Sequence, residues 1–133
     1  MRRRTRWALG LLAVTVLLAG CKLKRVEDEK SVMLGANMPT GLMEIPGQPK
    51  DMQVTVTATS SGAPVTLYLV LKADADKLMG QLERNEDSTL VLAKSSPGEN
   101  VTLEGTAPAN KDCMLIGVSD KKAEVKTKIV GRY

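Results

Sequence analysis

Hydrophobic and polar positions divide the chain into three regimes. Residues 7–19 form an unbroken uncharged run behind Arg2, Arg3, Arg4 and Arg6. Residues 22–50 carry no sustained period: the first nine are dominated by charge, and Gly35, Pro39, Gly41, Pro46, Gly47 and Pro49 punctuate the rest. From Asp51 onward a period of two takes over. Met52, Val54, Val56 and Ala58 alternate with Gln53, Thr55, Thr57 and Thr59; after a Ser60-Ser61-Gly62-Ala63 turn, Val65, Leu67, Leu69 and Leu71 alternate with Thr66, Tyr68, Val70 and Lys72. Branched side chains in strict alternation fit half-buried strands, and the two together predict a hairpin. Leu78, Met79 and Leu82 then fall at helical spacing, predicting a short helix over 74–84 with Asp74 at its cap.

Strand patterns return at 89–93, 100–106, 113–118 and 123–130, separated by Pro97-Gly98, the loop 107–112 and Ser119-Asp120-Lys121. Six short strands bounded by turn residues predict an all-β domain over 51–133, a small antiparallel sandwich of jelly-roll type with one short helix. Residues 21–50 are expected to be an irregular tether in front of it. The run Cys113-Met114-Leu115-Ile116-Gly117-Val118 is apolar on both faces, as in a strand covered from both sides, so Cys113 reads as a buried core thiol.

The first twenty residues have the charged start and apolar middle of an export signal. Thirteen helical residues extend roughly 20 Å at 1.5 Å per residue, short of the ~30 Å hydrocarbon layer, which predicts removal rather than a permanent span. The segment closes on Leu18-Ala19-Gly20-Cys21. This sequence resembles the lipobox of bacterial lipoproteins at all four positions. The resemblance implies cleavage before Cys21, a thioether-linked diacylglyceryl group on its sulfur and acylation of the freed amine; Leu18, Ala19 and Gly20 are then the peptidase recognition residues. Two or three acyl chains hold a protein firmly where one does not. Lys22, in place of an aspartate, implies passage to the outer membrane rather than retention at the inner one. Arg3-Arg4 also permits a twin-arginine export reading, which the residues after them fit poorly.

Charge and cysteine use follow from this. The net charge of +4 belongs to the whole chain. Four of the nineteen basic residues precede Cys21 and all fifteen acidic residues follow it, so the part from Cys21 is neutral and the basic pI is no sign of nucleic-acid binding. With Cys21 taken by lipid, Cys113 has no internal disulfide partner.

Candidate chemistry is sparse. No histidine is present, which removes the commonest general base and zinc ligand. Asp74 and Asp76, or Glu86 and Asp87, are the carboxylate pairs available for acid-base work or calcium. The first suits a helix start and the second a polar turn. Met33, Met38 and Met43 offer thioethers for copper, but a spacing of five matches neither helix nor strand. After Cys21 the aromatic residues are Tyr68 and Tyr133, too few for the stacked rings of a sugar or single-strand nucleic-acid surface.

Residues 65–71, the stretch Leu103-Glu104-Gly105-Thr106-Ala107-Pro108-Ala109 and the final Val125-Lys126-Thr127-Lys128-Ile129 resemble the small sandwiches of pre-peptidase C-terminal domains and the similar GOLD domain, over about eighty residues. The chain departs from them at Cys113-Met114. That resemblance implies an accessory module without a catalytic set. The sequence therefore predicts a lipid-anchored envelope protein, not an enzyme, with no cofactor, a non-catalytic binding or structural body and an envelope protein as possible partner. A calcium-dependent or acidic-residue enzyme or sensor is the alternative.

Overall fold

The computed structural model describes residues 24–133. The predicted signal segment, the lipobox, Cys21 and Lys22 lie outside the described residues. The elements in chain order are β1 (Arg25–Leu34), β2 (Thr40–Ile45), β3 (Met52–Ser61), β4 (Val65–Leu71), a 3-10 turn at Lys72–Asp74, α1 (Ala75–Glu83), β5 (Val91–Lys94), β6 (Asn100–Ala107), β7 (Cys113–Ser119) and β8 (Ala123–Arg132). Two antiparallel sheets of four strands face each other, in the orders β1-β8-β3-β6 and β2-β7-β4-β5. This is an all-β sandwich with the strand order of a jelly roll and one short helix.

Two expectations are corrected. The described part of the expected tether, residues 24–50, is not irregular: β1 pairs with β8 from Arg25↔Arg132 to Leu34↔Ala123, and β2 pairs with β7 from Thr40↔Gly117 to Ile45↔Cys113. The sandwich therefore has eight strands rather than six and begins at Arg25 rather than Asp51. The predicted hairpin of 51–59 with 65–71 does not form either. β3 lies between β8 and β6 in the first sheet, and β4 between β7 and β5 in the second. Both strands turn an apolar face to the same interior, so the turn at Gly62, with its φ of 111°, carries the chain across the core instead of folding it back alongside. Of the consecutive strands, only β4 and β5 stay in one sheet.

Alternation is strict where one face is wet. In β3 Met52, Val54, Val56 and Ala58 are buried, and in β8 Ala123, Val125, Thr127 and Ile129. They meet Leu67, Leu69, Cys113 and Leu115 from the second sheet, with Leu34, Leu42, Met43 and Ile45 closing the core from β1 and β2. The second sheet is apolar on its outer face too, because α1 lies there: Ala75 and Leu78 pack on Val70 and Ile116, flanked by Tyr68, Met79, Leu82, Leu90, Val91 and Met114. The helix stops at Asn85, whose φ of 55° turns the chain left-handed. The Glu86 N–H donates to the Gln81 carbonyl (2.8 Å) and the Asn85 N–H to that of Leu82 (3.1 Å), the paired bonds of a Schellman closure. Asp74 occupies the cap position but its side chain makes no capping bond.

One core position is chemically mismatched. The Thr127 hydroxyl is buried with no hydrogen-bond partner, beside Ala58 on one side and Lys30 on the other in register. A buried hydroxyl without a partner costs roughly 1–3 kcal/mol, and valine has nearly its shape. Thr127→Val is therefore expected to stabilise the fold by about 1 kcal/mol, seen as a higher urea midpoint with unchanged slope. A lower midpoint would show that the hydroxyl is satisfied in solution.

Candidate functional site

Three surfaces bear on function: the predicted chemical residues, a depression over the second sheet, and the end of the sandwich where the chain enters. Asp74 is half-buried and Asp76 exposed at the helix start. Among the described residues, no group of three His, Cys, Asp or Glu side chains is placed to hold a metal ion. Glu86 is instead bound by the Arg84 guanidinium at 2.8 Å, which holds its carboxyl below the usual carboxylate range. The three methionines do not converge: Met33 and Met38 are 56% and 59% exposed, while Met43 is 5% exposed in the core. Met33 lies on the exposed face of β1 in the first sheet, Met38 in the connection between the two sheets, and Met43 on β2 in the core.

Cys113 opens β7 fully buried, paired with Ile45 on one side and Leu71 on the other. Burial pushes its thiol up, and the neighbouring Asp112 carboxylate adds to the shift. A thiol both enclosed and held protonated is a poor nucleophile. Native protein is expected to react with a thiol reagent at least tenfold more slowly than urea-unfolded protein, as measured by absorbance at equal reagent. Equal rates would contradict the buried assignment.

The depression, about 450 Å³, lies where the chain returns from α1 across the outer face of the second sheet. Tyr68 on β4 forms one wall. Lys94, opposite Tyr68 in the β4–β5 register, places its ammonium 5.6 Å from the ring centroid, within range of a cation–π attraction. Asn85, Glu86, Asp87 and Ser88 supply the polar rim, and Leu82, Val91 and Val118 the apolar floor. Sequence reasoning missed this site, because Tyr68 and Lys94 come together only through strand pairing. The one available signal was an aromatic residue on the polar side of an alternating strand.

No family model matches the chain, and no curated protein matches it. Among solved structures, it is similar to a chain of the disulfide-linked pili that form Bacillus endospore appendages. Identity is 11%, with a TM-score of 0.45, over 84% of this chain and 88% of that one. It is also similar to a chain of the cyanophage Pam1 capsid, with 12% identity and a TM-score of 0.34, over 96% and 93%. These are likenesses of fold alone.

The entry end of the sandwich is knit by its loops. The Asp112 carboxylate accepts the Gly47 N–H at 2.7 Å, and the Asp51 carboxylate accepts the Ala109 N–H at 2.8 Å. The Asn110 N–H also reaches the Gln48 carbonyl at 2.7 Å. Gly47 is required here, since a Cβ on it would lie 2.7 Å from the Lys111 backbone nitrogen. Lys24 and Tyr133 exchange backbone hydrogen bonds of 2.6 and 3.0 Å, so the first and last described strands finish side by side at this end.

Proposed function

We propose that the chain is a lipid-anchored lipoprotein of the bacterial cell envelope, reaching the outer membrane, whose jelly-roll domain is a non-catalytic binding or structural module. The observation that carries this reading is the sequence Leu18-Ala19-Gly20-Cys21 at the end of a charged start and an uncharged run. The fold adds a consequence of covalent geometry. Between Cys21 and Lys24 lie only residues 22 and 23, a reach of at most roughly 11 Å. A lipid on Cys21 thus holds the sandwich directly at the bilayer, without the long spacer that residues 22–50 were expected to form.

The module's binding surface is the depression between Tyr68, Lys94 and the 85–88 loop, which combines a ring, a cation and carboxylates on a rigid sheet. A calcium-dependent role is the weaker reading, because no third acidic side chain joins Asp74 and Asp76 among the described residues. The test of the binding role is crosslinking on membranes carrying the full chain, with Cys21→Ser as the unanchored control. An envelope protein captured by the wild type and lost with both the control and Tyr68→Ala supports it. Capture indifferent to Tyr68 removes the depression from the account, and no capture in any sample argues for a purely structural body.

A further inference from the structure

Resting on that anchored reading, we infer that the entry end of the sandwich docks on the anionic phospholipid headgroups of the bilayer that holds the chain. Lys24 and Arg25 begin the described chain there, and Arg132 pairs with Arg25 across the β1–β8 ladder. The two loops that interlock at this end contribute Lys50 and Lys111, and Lys72 follows β4 beside the Asp112 carbonyl, its N–H bonded there at 2.9 Å. Six basic side chains thus share one end with four acidic ones, Glu27, Glu44, Asp51 and Asp112, and Asp74 stands at the margin where the helix begins.

The two signs are used differently. Asp51 and Asp112 are exposed, and each accepts a backbone N–H of the facing loop; Glu44 is occupied by Lys72, and Glu27 by Arg25 and Lys128. Lys24, Lys50, Lys111 and Arg132 are all exposed and make no ion pair among the described residues. The end therefore carries a positive excess, with Lys24, Lys50, Lys111 and Arg132 left for an outside partner, while the described residues as a whole carry fourteen basic and fifteen acidic side chains. Tyr133, half-buried against the core at this end, suits the headgroup level, where an amphipathic ring finds both apolar and wet surroundings. The opposite end, carrying Asp120, Lys121, Lys122 and Glu99, is balanced. The anchor fixes which end meets the bilayer, since residues 22 and 23 leave no length to turn the domain over.

A basic residue held near an anionic surface gains roughly fivefold in occupancy, and the gain falls with salt. The test takes the full chain extracted from membranes and reconstituted in vesicles of phosphatidylcholine, alone or mixed with phosphatidylglycerol, and reads amine labelling by mass spectrometry. On anionic vesicles at low salt, Lys24, Lys50 and Lys111 are expected to label roughly fivefold more slowly than on neutral ones, with Lys121 and Lys122 unchanged. High salt is expected to remove the difference. The folded variant Lys50→Gln/Lys111→Gln/Arg132→Gln is expected to lose the protection of Lys24. Equal labelling on both vesicles, or protection that survives the triple substitution, overturns the docking. The intact mass of the same extracted protein reports separately on lipid at Cys21. Lipid without a footprint sinks the docking alone, a footprint without lipid sinks the anchoring alone, and neither lipid nor footprint sinks both.

Discussion

A chain beginning at Asp51 is expected not to fold, although its sequence contains every strand that alternation makes obvious. Without residues 22–50, each sheet loses an outer strand, and β8 and β7 each gain an open edge. Four core side chains disappear with them: Leu34, Leu42, Met43 and Ile45, exposed by 1%, 1%, 5% and 2%. Burying a side chain of this size contributes about 1.5–3 kcal/mol. Losing four removes an amount comparable to the whole stability of a small domain, roughly 5–15 kcal/mol. Urea unfolding of the truncated chain, followed by far-ultraviolet circular dichroism, should show no cooperative transition. A sharp transition close to that of the full domain would return residues 22–50 to the role of a tether. The new edges also make the fragment prone to association, since unpaired strands template further pairing.

The second large effect concerns Cys21. Cys21→Ser removes the sulfur that a diacylglyceryl thioether requires, while changing nothing in the described sandwich, whose first residue is Lys24. Multiple acyl chains bind a membrane almost irreversibly and their absence leaves no comparable hold. The wild-type chain is expected to sediment with membranes and resist a high-salt or carbonate wash, whereas the processed product of the variant, if one accumulates, is expected in the soluble fraction. Should that product remain membrane-bound through the wash, some other device anchors the chain.

Legibility of the fold in the sequence depended on how cleanly each strand alternates, since the edge strands β5 and β6 were predicted while the edge strands β1 and β2 were not. β3, β4, β7 and β8 announce themselves because burial on one or both faces imposes a clean pattern. β1 does not, because its inward positions run Val26, Asp28, Lys30, Val32 and Leu34 in the register with β8. Asp28 and Lys30 are exposed despite facing inward, which places charges along the free edge of the first sheet. Such charges guard an edge against pairing with another chain, and they also erase the alternation by which a strand is recognised. β2 was hidden by its irregular register between Gly41 and Met43, which breaks the period of two, and by the prolines on either side. The sheet membership of β3 and β4 was not legible at all, since two amphipathic strands joined by a short turn fit a hairpin and a crossing between sheets equally well.

The chemical residues divide in the same way. Burial of Cys113 was readable from the apolar run around it, and the helix from its spacing. The Tyr68–Lys94 depression depends on strand pairing, and the cationic end depends on which loops share an end of the sandwich; neither is a local property of sequence. The proposed lipoprotein reading of Leu18-Ala19-Gly20-Cys21 is the reverse case: it rests on local sequence, and no fold is needed to make it.

The most direct measurement is the intact mass of the protein purified from membranes after expression of the full chain. The account predicts a polypeptide beginning at Cys21, heavier than residues 21–133 by a diacylglyceryl group and an amide-linked acyl chain, with the excess mapping to the N-terminal peptide. An unmodified Cys21, whether in an uncleaved chain or in one cut elsewhere, would contradict it.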